Sequence, residues 1–230
     1  MERRASLKTR SMRRLATALT ALAAILFLSA GSLHFWQGWL FIVLQSGFWI
    51  FFCVDFLKHD PQLLERRLQN KETQPEQRLF QTLWRMITIL AFLLAGFDFR
   101  FGWTRGWVGQ VPLTLVLVAQ ATVVGGYWLV FWVMKSNTFA GSTIQVESKQ
   151  TVICSGPYAI VRHPMYFGMV VAVLAAPLAL ASYVTVPVFA LLVPMLIFRL
   201  THEEQTLRRD LPGYTDYCER TRFRLVPWVW

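Results

Sequence analysis

"CSGPYAIVRHPMYFGMVVAVLAAP", residues 154–177, sets an arginine, a histidine and a proline directly against a run of apolar residues. Lipid offers such polar groups no hydrogen-bond partner, so they belong at the lip of a membrane helix. Pro164 suits the first position of that helix, where its missing N–H costs nothing, and His163 then stands at the cap. The exposed amides and positive dipole end of the helix favour an anionic group nearby. Gly156-Pro157 marks a turn just upstream, bending the chain so that Tyr158 and His163 face one space.

The rest of the chain fits a bilayer. With 55% hydrophobic and 16% charged residues in 230, it is too apolar for an ordinary soluble domain and has the length of one membrane unit, residues 1–230. Uncharged runs of about 20 residues, enough to cross the hydrocarbon core, occupy 15–33 and 36–54. Further apolar runs lie near 86–97, 111–134, 166–180 and 183–198. The expected fold is therefore all-α, with about six membrane helices. The last two are short and carry Pro177, Pro187 and Pro194, which suits a tilted hairpin better than two straight spans. The basic leader followed by an apolar run could also open a signal peptide, with Ser29, Ala30 and Gly31 as small residues near its end. The later segments require a membrane in either case.

Charge sets the expected orientation, since Lys and Arg concentrate in cytoplasmic loops. The leader (Arg3, Arg4, Lys8, Arg10, Arg13, Arg14), the link 58–85, the segment 135–163 and the tail from Arg199 all fall on one side by counting crossings. "DFRFGWTRGW", residues 98–107, is a mild exception on the other. The formal charge of +10 is thus explained by topology and anionic headgroups, and no nucleic-acid module is visible. Cys53, Cys154 and Cys218 lack metal-ligand spacing and read as unpaired thiols.

A second polar group, "FRLTHEEQTLRR" at 198–209, ends the hairpin on the same side as His163. Arg199 and Glu203, four apart, share one helical face. A pocket between the two groups would hold an anchored cation, a carboxylate pair and a helix start. Plainer readings stand beside this one. Glu204 and Arg208 have the spacing of a solvated surface pair, His163 that of a simple cap, and Arg199 could snorkel at the interface. His34, His59 and His202 have no partner pattern.

The order Gly-Pro-Tyr, Val-Arg-His-Pro-Met-Tyr, a hairpin, Arg, then Glu-Glu resembles the isoprenylcysteine carboxyl methyltransferase family, relatives of the phospholipid N-methyltransferases. The resemblance runs from about residue 137 to the end, where "LPGYTDYCERTRFRLVPW" is similar to the family's closing segment. "DPQLLERRLQ" and "GFDFRFGW" resemble bacterial members. The resemblance implies S-adenosyl-L-methionine as cofactor, held in a cytoplasmic C-terminal pocket. It implies cofactor contacts at Gln145, Gln150, Thr151, Val152, Ile153, Tyr158, His163, Pro164, Met165, Tyr166, Glu203 and Glu204. Arg199 matches the position near the methyl acceptor. The implied setting is a bacterial inner membrane with a cytoplasmic N-terminus, and the implied partner a lipophilic or prenylated substrate. No metal is called for, and no GxGxxG fingerprint suggests a soluble nucleotide fold. An NADPH-dependent reductase of the sterol-reductase type and a non-enzymatic transporter or scaffold are the alternatives. Oligomeric state is not legible.

Overall fold

A computed structural model describes residues 2–69, 75–139, 146 and 150–230. Its 78% helix and absence of strands among the described residues match the expected class. The helices are α1 (Glu2–Ala30), α2 (Trp36–His59), α3 (Pro61–Gln69), α4 (Pro75–Phe101), α5 (Trp103–Trp107), α6 (Leu113–Ser136), α7 (Pro164–Ala179), α8 (Val186–Ala190), α9 (Leu192–Asp210) and α10 (Tyr214–Arg220). A 3-10 turn covers Gly156–Ala159.

Among the described residues, five segments are long and apolar enough to cross a bilayer: Ala5–Ala30, Trp36–His59, Pro75–Phe101, Leu113–Ser136 and Val186–Asp210. The protein is an integral membrane protein. Leu28, Val43, Ile89, Val118 and Trp132 point outward on these helices, as a lipid-facing surface requires. The sixth apolar helix, α7, has 16 residues. That is about 24 Å of helix against a core of about 30 Å, so it crosses only as half of the α7–α8–α9 hairpin. Two boundaries differ from expectation. The basic leader is not a separate arm, because α1 is helical from Glu2. Similarly α4 begins at Pro75 rather than near Met86, adding a turned-out stretch with exposed Glu76 and Arg78.

Small residues bring the backbones together. A Cβ on Gly168 would lie 2.6 Å from the Gly126 carbonyl oxygen, and one on Gly126 would lie 2.6 Å from the Gly168 carbonyl oxygen. Helices α6 and α7 therefore touch backbone to backbone, the means by which membrane helices gain packing without a hydrophobic drive. Gly168→Ala is expected to cost about 1–3 kcal/mol by overpacking. Gly125→Ala, next to the contact but facing open space, should be neutral. Melting temperatures of the two variants in detergent check this, and equal melting would count against the backbone contact.

The two ends of the bundle are held differently. At one end buried Asp98 accepts hydrogen bonds from the Thr104 amide at 2.7 Å, the Thr104 hydroxyl and the Ser182 hydroxyl. The acid in the exceptional "DFRFGWTRGW" segment is thus a clamp joining α4, α5 and the α7–α8 turn, and its three donors meet the cost of burial. At the other end the Arg14 guanidinium donates to the Leu68 carbonyl at 2.8 Å, and Arg10 lies 3.9 Å from Glu65. The start of α1, helix α3, the end of α6, the start of α7 and the end of α9 gather there, on the single side the charge pattern assigns to the basic segments.

Candidate active site

The two polar groups separated in sequence enclose one cavity of about 890 Å³, its open mouth included. From the first group Gln150, Thr151, Val152, Ile153, Tyr158, His163, Pro164, Met165 and Tyr166 line it. From the second, Arg199 and Glu203 do. Gln145 lies outside the described residues. The two groups meet at Tyr166, whose hydroxyl donates to Glu203 Oε2 and accepts from Arg199 Nε at 3.2 Å. A helical turn separates Arg199 and Glu203, so one phenol reaches both.

Local geometry explains the lining. Gly156 has φ +61°, a left-handed conformation that glycine adopts without strain. The 3-10 turn it opens carries Tyr158, whose hydroxyl accepts from Asn137 Nδ2 at 3.0 Å while its carbonyl accepts from the Tyr217 hydroxyl at 2.7 Å. Burial pushes the Tyr158 phenol up to about 12, so it stays protonated at any physiological pH. His163 occupies the cap of α7 as expected, but its side chain makes no capping bond. The first turn therefore keeps amides at Met165 and Tyr166 without intrahelical partners, and both residues face the cavity.

Glu204 is placed differently from both expectations. It does not line the cavity, and it is not a surface residue. Adjacent helical positions point about 100° apart, so Glu203 faces the cavity while Glu204 turns toward the C-terminal segment. There it meets Arg162 Nη2 at 3.1 Å, Arg208 Nη2 at 2.8 Å, Arg224 Nε at 3.1 Å and His163 Nε2 at 3.6 Å. The pairing of Glu204 with Arg208 is real, but its carboxylate is buried among four cationic or ionisable partners.

Arg162 carries a role that sequence reasoning missed. Its guanidinium donates to the Thr221 and Arg222 carbonyls at 3.0 and 2.9 Å as well as to Glu204. The amides of Arg162 and His163 donate to the Phe223 and Arg224 carbonyls, each at 2.9 Å. The C-terminal segment is thereby fastened beside the α7 start. The signal was present in the Val-Arg-His-Pro run, but only the tertiary approach of residues 221–224 gives that arginine its acceptors. Tyr214 and Tyr217 on α10 also line the cavity, and burial pushes both phenols up. They lie within the closing segment whose pattern, but not whose roles, the sequence displayed.

Among the described residues, two buried polar atoms on cavity-lining residues have no hydrogen-bond partner, Arg162 Nε and the Tyr214 hydroxyl, whereas His163 Nε2 is turned toward the Glu204 carboxylate at 3.6 Å. Buried polar atoms are normally satisfied, so the first two suit a polar ligand. A second, larger and mostly apolar cavity of about 1190 Å³ shares Met165, Tyr166 and Arg199 with the first. A polar chamber and an apolar chamber thus stand on two sides of one wall.

In this membrane-embedded helical protein a cavity lined by charged and polar side chains thus adjoins a mostly apolar one. Residues 116–209 match the Isoprenylcysteine carboxyl methyltransferase (ICMT) family. The fold resembles that of the eukaryotic intramembrane Ras methyltransferase ICMT, with a TM-score of 0.54 and 16% identity, covering 95% of this chain and 77% of that one. At that identity the likeness is one of fold. The chain is 28% identical over 146 residues to the cobalt-zinc-cadmium resistance protein CzcN of Cupriavidus metallidurans. It is 29% identical over 154 residues to the nickel-cobalt-cadmium resistance protein NccN of Alcaligenes xylosoxydans xylosoxydans. The first match covers 60% of this chain and 60% of its relative, the second 60% and 61%. A Delta(14)-sterol reductase of Mus musculus is 29% identical over 133 residues, 52% of this chain and 32% of the reductase.

Proposed function

We propose that the protein is an S-adenosylmethionine-dependent membrane methyltransferase acting on the carboxyl group of a lipophilic acceptor. The observation that carries this is the wall formed by Tyr166, with Glu203 and Arg199 on its single hydroxyl, between a polar and an apolar chamber. S-Adenosylmethionine supplies a methyl group already activated on a sulfonium centre, so a metal or a covalent nucleophile is not needed. Glu203 takes the ammonium of the cofactor's amino-acid end. The partnerless amides at the start of α7, together with His163, take its carboxylate. Residues 150–153 and Tyr158 close the chamber against water, with Tyr158 available as a neutral donor. Arg199 holds the acceptor's anion and orients it toward the shared wall. A carboxylate acceptor is ionised near neutral pH, so no residue has to remove a proton. An amine acceptor would need a base and would meet a guanidinium instead.

The charge pattern supports a cytoplasmic N-terminus and site in a bacterial inner membrane, where the cofactor is water-borne and the acceptor arrives through lipid. A prenylated cysteine and a free lipid acid both fit the class of acceptor. The match to the sterol reductase supports a second reading, an NADPH-dependent reductase. Titrating the purified protein with both cofactors separates the two. Binding of S-adenosylmethionine and not NADPH is expected, and the reverse would replace the methyltransferase reading with the reductase one.

A further inference from the structure

Beyond α10 the chain turns back to the apolar level of the bundle. Leu225 joins Tyr166, Leu196 and Leu200 in one buried cluster, and Val226 and Trp230 pack against it. Leu196 and Leu200 lie within the span Val186–Asp210, and Phe198, between them, is an exposed apolar residue on the same helix. Residues 225–230 therefore stand at a depth where α9 already turns an apolar side chain toward lipid. The segment is a closed hook. The Leu225 and Val226 amides donate to the Trp230 carbonyl at 2.9 and 3.1 Å, and the Val229 and Trp230 amides donate to the Val226 carbonyl at 3.2 and 3.1 Å. Trp228 sits in its bend with φ +62°, a left-handed conformation that favours glycine and that a bulky residue keeps only where its surroundings hold it. The root of the hook is residues 221–224, whose carbonyls accept from the Arg162 guanidinium and from the Arg162 and His163 amides. Anchored in this way, the hook presents its tip outward. Trp228 is 84% and Val229 78% exposed.

We propose that residues 225–230 are a membrane anchor whose tip, Trp228 and Val229, enters the headgroup–acyl boundary of the leaflet on the side of the polar chamber. An indole and an isopropyl group left in water at this depth would forgo burial that lipid beside them offers. Indole has an apolar body and an N–H tip, which suits it to the boundary between acyl chains and headgroups. Arg220 and Arg222, both exposed near the root, add cations that attract lipid phosphate. The bilayer matches the tip, its depth and the neighbouring charge together. The inference stands apart from the methyltransferase reading, since it uses neither chamber.

The test uses the full chain in nanodiscs of phosphatidylcholine and phosphatidylglycerol. Cys154 and Cys218 are replaced by serine, buried Cys53 is kept, and a protein with no added cysteine serves as the blank. A nitroxide is then attached at Val229→Cys, and power saturation compares its collisions with oxygen, which concentrates in lipid, and with nickel–EDDA, which stays in water. Val118→Cys, outward on α6, and Arg209→Cys, at the exposed end of α9, give the lipid and water references. The label at Val229 is expected to behave as that at Val118, with oxygen prevailing, and the order should reverse at Arg209. Without any added cysteine, the fluorescence difference between the wild type and Trp228→Phe isolates one indole, and dibrominated phosphatidylcholine should quench it. A Val229 label that follows Arg209 would put the tip in water. Shielding from both reagents would put a second copy of the chain over it, and an unquenched Trp228 would place it away from acyl chains. Any of these results overturns the anchor.

Discussion

Replacing Glu203 by glutamine is expected to weaken S-adenosylmethionine binding by about 100-fold while leaving the fold intact. The substitution keeps the size of the side chain and a carbonyl to accept from the Tyr166 hydroxyl, so the loss isolates the negative charge. A hydrogen bond to a charged group is worth about 1.5–3 kcal/mol, and about 1.4 kcal/mol is a factor of ten. The upper part of that range applies because both partners of the proposed contact, carboxylate and ammonium, are charged. Isothermal titration in detergent, beside a melting curve, checks it. Unchanged affinity in a folded variant would remove Glu203 from the cofactor site and, with it, the main support for the polar chamber's role.

Glu204→Leu, one residue along, is expected to act on stability instead. The Arg162 and Glu204 side chains are 6% and 5% exposed, and the substitution leaves Arg162 buried beside Arg208, Arg224 and His163 with no anion between them. Breaking a buried pair from one side costs about 3–5 kcal/mol, chiefly because the surviving charge stays unpaired. Arg208, 41% exposed in the same cluster, offers the comparison. Its replacement by glutamine should cost under about 1 kcal/mol, because water takes over the role of the lost partner. The measurements are melting in detergent and trypsin cleavage around Arg220 and Arg222. Both should shift strongly in Glu204→Leu and little in Arg208→Gln. A Glu204→Leu protein that melts with the wild type would deny the cluster its part in fastening residues 221–224.

The contrast between these neighbouring acids marks how far the sequence could be read. The spans were legible because a bilayer forces every apolar stretch of sufficient length into a helix. The hairpin was legible in part, since α7 is short as expected, whereas the returning limb, Val186–Asp210, is long enough to cross despite Pro187 and Pro194. Tyr158, His163, Tyr166, Arg199 and Glu203 were identified as candidates by a motif, and the structure brings them to one cavity. What stayed hidden depends on approach in three dimensions. Arg162, Glu204 and Arg224 form one cluster only because the C-terminal segment folds back onto the start of α7. Asp98 looked like a stray charge on the wrong side and is a satisfied clamp, since its donors lie on α5 and on a turn more than 80 residues away. Arg67 was one basic residue in a link among several, and only the packing of α3 against the bundle gives it a cavity to border.

The contact between Gly126 and Gly168 bears on how a bulky ligand gets in. Two backbones already in touch have no side chains to rotate aside, so the seam between α6 and α7 cannot part without being pulled open as a whole. Under the proposed function, the acceptor would then enter across the chamber, past the stacked Phe80 and Trp84 of α4. In that reading the glycine seam is the fixed jamb of the chamber, and the aromatic pair is the side that would have to give way.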